Sequence, residues 1–505
     1  MLKCAMIFTD KMVLQREKEI PVWGQAEAGK EIEVSLVDET TGFLKSAKAV
    51  TEADGSWMAK LPACDAAVDL KMTVTDGNDT LTFCDVCIGE VWIAGGQSNM
   101  EYLLAFEKHF DEVKDTFKNP NVRFFDYPEV AYEGQLKDYD YKNYGFWRGC
   151  TPEDLCWFSA VGFYFQKELQ EKLNVPVGIV GCNWGGTTAC AWMDPELLKG
   201  TVGEFWVTDY EKALEGLDVE AYKRDYLANP GNNRTDELHN PFSVKMVKEG
   251  STREEQLEMM LDWEKNGESW DAVIGPYYER RPGGLYETML KKIVPYGMRG
   301  AIWYQGESDS DKNPEIYETV FSLMIKNWRE LWQEEFPFLF VQLAPFKGWL
   351  ACDGENYPYL RQAQDAVSKK LPGVWMASIG DVGMEWDIHP KNKKAVGERL
   401  ALLARGHVYG ETDLLCDAPE AVLATKKGEE LVITFENAKG LHIEGERLNA
   451  LKGVSYESAR VEGNQLILSG VSQVDEVQFA KEPYYEVNLF NEAHIPAKPF
   501  SILVK

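Results

Sequence analysis

The sequence predicts an α/β fold: a doubly wound parallel sheet with helices on both faces and a β region at either end of the chain. Three observations carry this. Residues 1–88 read as short strands between turn signals, as in Glu19-Ile-Pro-Val-Trp-Gly24, Lys30-Glu-Ile-Glu-Val-Ser-Leu36 and Asp54-Gly-Ser-Trp57. From residue 89 to 410 apolar strand runs alternate with helical periodicity, the pattern of repeated βα units. Residues 411–505 return to β character in Glu430-Leu-Val-Ile-Thr-Phe435, Gln465-Leu-Ile-Leu468 and Glu476-Val-Gln-Phe479.

The N-terminal pattern suits a small β-sandwich. In the middle region Val91–Gly95, Val177–Cys182, Arg299–Tyr304, Phe338–Leu343 and Val374–Ile379 are apolar enough to be buried strands. Helices are expected over Asn99 to about Phe110, Ser159–Leu173, Tyr359–Lys370 and Lys391–His407. The strongest helix is Pro314–Trp332, where Ile316, Val320, Leu323, Met324, Trp328 and Leu331 recur at 3–4 spacing. Asn313 is its expected cap, and Pro314 suits its first turn. Residues 194–282 interrupt the alternation with a charged, mostly helical insertion. The chain therefore divides into 1–88, an N-terminal β-sandwich domain; 89–410, the α/β domain carrying the insertion; and 411–505, a C-terminal β domain.

The hydrophobic content of 45% allows a full core, so wholesale disorder is excluded. The formal charge of -29 argues against nucleic acid or anionic membrane as a partner. An acidic substrate would need local positive charge to overcome that field. The first ten residues read as a strand rather than a leader, and no run of ~18 apolar residues exists. A cytoplasmic protein is the expectation, with a homodimer left open. The ten cysteines are scattered through apolar runs, which suits buried free thiols. Cys84 and Cys87 form a lone Cys-x-x-Cys with no second pair or histidine cluster, so no metal or other cofactor is expected.

Binding and catalytic groups of a doubly wound sheet gather beyond the carboxyl ends of its strands. Four segments place polar or glycine residues there: Ser98, Asn183-Trp-Gly-Gly-Thr187, Gln305-Gly-Glu-Ser-Asp309, and Asp381 to His389. Ser98 follows Val91-Trp-Ile-Ala-Gly-Gly-Gln97, a strand ending in a tight turn, which suits a nucleophile. Ester hydrolysis also needs a base and oxyanion donors. His389 is the best base among six histidines, and Asp387 lies two residues before it on the same side of an extended segment. Asp381, Glu385 or a main-chain carbonyl are alternative orienters. The Ser98 amide, an amide of Gly185 or Gly186, and the Gln305 side chain are candidate oxyanion donors. Trp184 and Trp386 offer ring faces for a sugar, and Glu307 stands near the same loops. Glu307 and Asp309 also invite a glycosidase reading, but two carboxylates on one short loop better suit ordering of Gln305 and the turn.

Taken together, Gly96-Gln-Ser-Asn-Met100, Trp184-Gly-Gly-Thr187, Gly300-Ala-Ile-Trp-Tyr-Gln-Gly-Glu-Ser308 and Asp387-Ile-His-Pro390 resemble, in order and spacing, the sialate O-acetylesterase family of SGNH (GDSL-like) carbohydrate acetylesterases. Met12-Val-Leu-Gln-Arg16, Ile20-Pro-Val-Trp-Gly24, Asn488-Leu-Phe-Asn491 and Pro496-Ala-Lys-Pro-Phe500 extend the resemblance to nearly the whole chain. It implies a flavodoxin-like three-layer SGNH domain and a metal-free Ser98–His389 esterase with Asp387 as third member. Gln305 stands where many such enzymes carry asparagine, and Trp386 where many carry the aspartate. The implied substrate is an acetylated sugar, with sialate 9-O-acetyl esters first and acetylated xylo- or manno-oligosaccharides second. A non-catalytic carbohydrate-binding protein is the expectation of another class.

Overall fold

A computed structural model describes residues 1–38, 40–229, 232–266 and 273–505. The glycine-and-aromatic run Gly89–Gly96 is buried throughout, because it ends the central strand of a large sheet. Six parallel strands build the sheet's middle: Thr80–Gly96 (β1), Val122–Asp126 (β2), Val177–Asn183 (β3), Gly300–Tyr304 (β4), Phe338–Val341 (β5) and Val374–Ala377 (β6). Their order is β2-β3-β1-β4-β5-β6, with Trp147–Arg148 antiparallel on the outer edge of β2. The strand β2 had no counterpart in the sequence reading, although Val122-Arg-Phe-Phe-Asp126 is apolar and buried.

Helices cover both faces, as a parallel sheet requires. Ala160–Leu173 (α1) and Lys393–Leu403 (α4) pack together on one face, where Trp92 meets Phe165 edge-on with centroids 5.1 Å apart. Tyr317–Trp332 (α2) and Tyr357–Lys370 (α3) lie on the other, where Trp303 meets Trp328 at 5.5 Å. Ser159 caps α1 by accepting from the Gly162 amide, which places the start one residue later than expected. Asn313 does not cap α2: its φ is 48°, its side chain makes no cap bond, and Pro314–Ile316 form a 3₁₀ turn ahead of the helix.

The helix expected over Asn99–Phe110 is broken into pieces. Ser98–Glu101 makes one turn, and then the backbone is diverted sideways. Leu104 donates to Phe158 O at 2.7 Å, and Leu103 bridges Ser159, so tertiary partners replace intrahelical ones.

The strand β1 is also shared with the N-terminal region. Its first half pairs antiparallel with Ala67–Thr75, and Cys87–Gly89 pair in parallel with Val13–Gln15. At the join, the buried Glu90 carboxylate meets the guanidinium groups of Arg16, at 2.5 Å, and Arg299, at 2.8 Å. Burial opposes ionisation of Glu90, but Arg299 and Arg16 outweigh it and hold the carboxyl below its usual range. The rest of the N-terminal region forms antiparallel sheets whose inward faces alternate, as in Ile32, Val34 and Leu36. Beyond residue 420 the β elements enclose a separate apolar core around Leu431, Ile433, Leu466, Val477 and Phe479. Residues 194–282 supply the helices Glu204–Leu214, Val219–Ala228 and Arg253–Asn266. No helix among the described residues is long and apolar enough to cross a membrane.

Candidate active site

The strand register brings the predicted loops together. Gly96 at the end of β1 lies beside Asn183 of β3 and Tyr304 of β4, so the loops after all three strands leave the sheet side by side. Here the strand order reverses, because β1 leads out to β2 and β3 on one side while β4 lies on the other. Ser98 opens the single helical turn after β1. Gln97 anchors that turn: its Oε1 accepts from the Gly306 and Ser308 amides at 3.4 and 3.3 Å.

Ser98 Oγ lies 3.0 Å from His389 Nε2. The imidazole is 3% exposed and is wedged edge-on against Trp349, with centroids 5.1 Å apart. Asp387 Oδ1 accepts from the His389 backbone amide at 2.8 Å and stands 3.6 Å from Nδ1 of the ring. Its other oxygen lies 2.9 Å from Lys391 Nζ. Of the alternative orienters, Asp381 is taken by Arg399 in a two-point contact at 2.6 and 2.7 Å, and Glu385 pairs with Lys347 at 2.9 Å. Nδ1 has no protein hydrogen-bond partner among the described residues, so no main-chain carbonyl orients the ring.

Burial lowers the pKa of His389 from its ordinary 6.5 and outweighs the upward pull of Asp387. Burial also works against ionised Asp387, but His389 and Lys391 prevail and hold it below the usual carboxylate range. A base with this shift stays neutral below its ordinary titration range. The kcat/KM for an uncharged acetate ester should therefore be flat around pH 7–8 and halve only at a pH below 6.5. A pH–rate profile whose acid limb had its midpoint above 7 would contradict this environment for His389.

The expected oxyanion donors divide. Ser98 N–H opens its helical turn and so has no intrahelical acceptor. The Gly185 amide is already engaged, because it donates to Glu101 Oε2. Burial, with Glu237 nearby, pushes Glu101 up to about 7. Gln305 is engaged as well: Nε2 donates to Thr187 O at 3.1 Å and to Asp309 Oδ2, while Oε1 accepts from the Tyr317 hydroxyl at 3.2 Å. With its amide donating to Asp309 in its own loop and to Thr187 in the loop after β3, Gln305 ties these two loops together. The loop after β4 is thus held by the segment after β3, from which Ala189 N also donates to Asp309 Oδ2 at 2.9 Å.

The expected sugar contacts change too. Trp184 is 3% exposed and donates its amide to Gly96 O, so it belongs to the core. Trp386 is half-buried, with Lys347 Nζ and the Arg253 guanidinium 4.9 and 5.5 Å from its ring centroid. Glu307 is buried and accepts from Asn99 Nδ2.

That last contact belongs to a network the sequence reading missed. Asn99 Nδ2 also donates to Ile388 O at 3.0 Å, and its Oδ1 accepts from Lys393 Nζ. One side chain therefore ties the nucleophile turn to the loop of Glu307 and the loop of His389. Lys393 is fully buried, with the Tyr102 and Tyr304 ring centroids 4.7 and 5.2 Å from its ammonium. Burial pushes its pKa down to about 7. Asn99 could have been suspected from its place next to Ser98, but Lys393 carries no signal among its neighbours Lys391 and Lys394. The insertion braces the same loop from outside, where Gln256 Nε2 donates to Trp386 O at 2.9 Å.

Comparison with known proteins places the chain beside carbohydrate acetylesterases. Residues 260–404 match the family model described as carbohydrate esterase, sialic acid-specific acetylesterase. The sialate O-acetylesterase of Rattus norvegicus is 27% identical over 455 residues, covering 84% of this chain and 77% of that protein. That of Homo sapiens is 26% identical over 443 residues, covering 82% and 72%. A crystal structure of a carbohydrate acetylesterase from Xanthomonas citri superposes with a TM-score of 0.72 and 27% identity, covering 99% of each chain. The resemblance carried by the motifs is thereby borne out.

Proposed function

We propose that Ser98, His389 and Asp387 perform acyl transfer in this chain, a carbohydrate O-acetylesterase related to the sialate O-acetylesterases. The observation that carries the proposal is the 3.0 Å contact between Ser98 Oγ and His389 Nε2 at the strand-order reversal. The parallel sheet, with helices on both faces and β regions at each end, is read here as an SGNH-type three-layer domain flanked by β-sandwich-like modules.

In this reading Ser98 Oγ attacks the acetyl carbonyl while His389 Nε2 takes its proton. The resulting oxyanion faces the amides of Ser98 and Gly186, since Gly185 and Gln305 are committed elsewhere. Collapse breaks the ester bond, and His389 returns the proton to the departing sugar oxygen. Acetyl-Ser98 remains. Water, deprotonated by His389, attacks it, acetate leaves, and the proton returns to Ser98. Asp387 holds negative charge beside the imidazolium at each stage.

The substrate in this reading is an O-acetylated sialic acid, 9-O-acetyl esters before others. Acetate release from 9-O-acetyl-N-acetylneuraminic acid and from acetylated xylo-oligosaccharides should be measured side by side, with 4-nitrophenyl acetate as a general ester. Faster release from the sialate supports the reading, and faster release from the xylo-oligosaccharide moves the substrate class. A serine-directed phosphonate should attach at Ser98. A protein that neither labels nor releases acetate from any of the three would be a binder.

A further inference from the structure

We infer that Arg280, in a pocket that adjoins the loops around Ser98, is the anion-binding end of the substrate site and takes the carboxylate of the acidic sugar whose ester is cleaved. The inference rests on the sialate reading above. Thr188, Trp206, Arg280, Ser308 and Lys312 line the pocket, together with the carboxylates Asp209 and Asp311. It adjoins two of the loops that leave the sheet beside the nucleophile. Thr188 lies two residues beyond Gly186, and the Ser308 amide bonds the side chain of Gln97, next to Ser98.

Arg280 reaches this place because Gly186 has no side chain. A Cβ there would lie 3.0 Å from Arg280 Nη2, against a backbone whose φ is +76°. The preceding residue faces the nucleophile: a Cβ on Gly185 would lie 3.2 Å from Ser98 Cβ. Consecutive Cα atoms are about 3.8 Å apart, so guanidinium and nucleophile are separated by a distance on the order of 10 Å. That suits a monosaccharide holding its carboxylate at one end and its acetyl ester at the other.

The donors of Arg280 are also under-used. Among the described residues its buried Nε has no hydrogen-bond partner, and its ion pair with Glu279 is stretched to 3.9 Å. The neighbouring cations are committed. Arg281 donates to Pro276 O and Ala131 O at 3.0 and 2.7 Å, and Lys312 pairs with Asp209 at 3.4 Å. Asp309, a buried acid whose charged form Arg280 favours, already accepts from Ala189 and Gln305. Trp206 Nε1 is a second buried donor in the pocket wall without a partner among the described residues. A chain of formal charge -29 repels an anion in general, so recognition of one calls for a specific sheltered cation. Guanidinium is suited to it, because its planar fork binds a carboxylate at two points.

The test compares kcat/KM for acetate release from 9-O-acetyl-N-acetylneuraminic acid with that from its C1 methyl ester, in which a neutral ester replaces the carboxylate. The wild-type protein should prefer the free acid by on the order of 10–100-fold, the worth of one charge-assisted contact. In Arg280→Gln the ratio should collapse to about one, through a rise in KM for the acid. Arg280→Lys, which keeps the charge but loses the fork, should give a ratio between the two. A wild-type ratio near one, or an Arg280→Gln ratio equal to wild type, overturns the assignment of Arg280 alone. Cleavage of 4-nitrophenyl acetate with neither sialate ester touched overturns the substrate reading, and the subsite with it.

Discussion

Ser98→Ala should lower acetate release by on the order of 10⁴–10⁶-fold while leaving the melting temperature within a few degrees of wild type. The loss is large because the hydroxyl is the group to be acylated, and among the described residues no other side chain is hydrogen-bonded to His389 Nε2. The stability change is small because that hydroxyl makes one hydrogen bond, to a ring otherwise held by Trp349 and the Asp387 loop. Anchoring of the turn falls to Gln97 and Asn99, which the substitution does not touch. The two readouts belong together: acetate release from a purified variant, and its thermal melt. A variant within tenfold of wild-type activity in a clean preparation would exclude Ser98 as nucleophile. A variant that melted far lower would show that the serine is also part of the frame.

Gly96→Ala should have a large effect on folding. Gly96 has a φ of +134°, a region that side-chain-bearing residues rarely enter. A Cβ there would lie 2.2 Å from Tyr304 O and 2.8 Å from Tyr304 C, both backbone atoms of the adjacent strand. That strand cannot yield, because its register to β1 runs from Gly300–Trp92 to Tyr304–Gly96. Moving it would also open the junction from which the Ser98 and Gln305 loops depart. Backbone strain and a main-chain clash together should cost more than about 4 kcal/mol, the range reserved for such mechanisms. Soluble yield and a urea melt would measure it. A variant with a wild-type midpoint would mean that the two strands separate far more easily than their pairing indicates.

These expectations draw on features of unequal visibility in the sequence. The βα alternation was legible because buried parallel strands are short apolar runs and the outer helices are amphipathic; the 3–4 spacing of Val320, Met324 and Trp328 is the clearest case. The meeting of Ser98 with the His389 loop was legible because strand ends share an edge. Helix continuity after Ser98 was not, since Phe158 and Ser159 supply the competing partners from a distant segment. Donor availability was not legible either. A glycine motif shows that an amide is accessible, but only the three-dimensional arrangement shows Glu101 already holding Gly185. Trp184 illustrates the same limit: an aromatic beside a motif reads alike whether it faces a sugar or the core, and here it is buried. Lys393 shows the limit most plainly, as a lysine in a charged run whose burial depends on Tyr102, Tyr304 and Asn99.

Thr80–Gly96 has a consequence for ancestry. Exchangeable modules are usually joined by exposed linkers that few contacts cross. Here a single ribbon of seventeen residues begins in the antiparallel ladder of the front region and ends at the turn bearing Ser98. A recombination breakpoint near residue 89 would cut that ribbon in two and part Arg16 from Glu90. The front region is thus poorly suited to shuffling among unrelated catalytic partners. Its lineage should be shared with the chemistry it adjoins, so the two would be inherited, and diverge, as one.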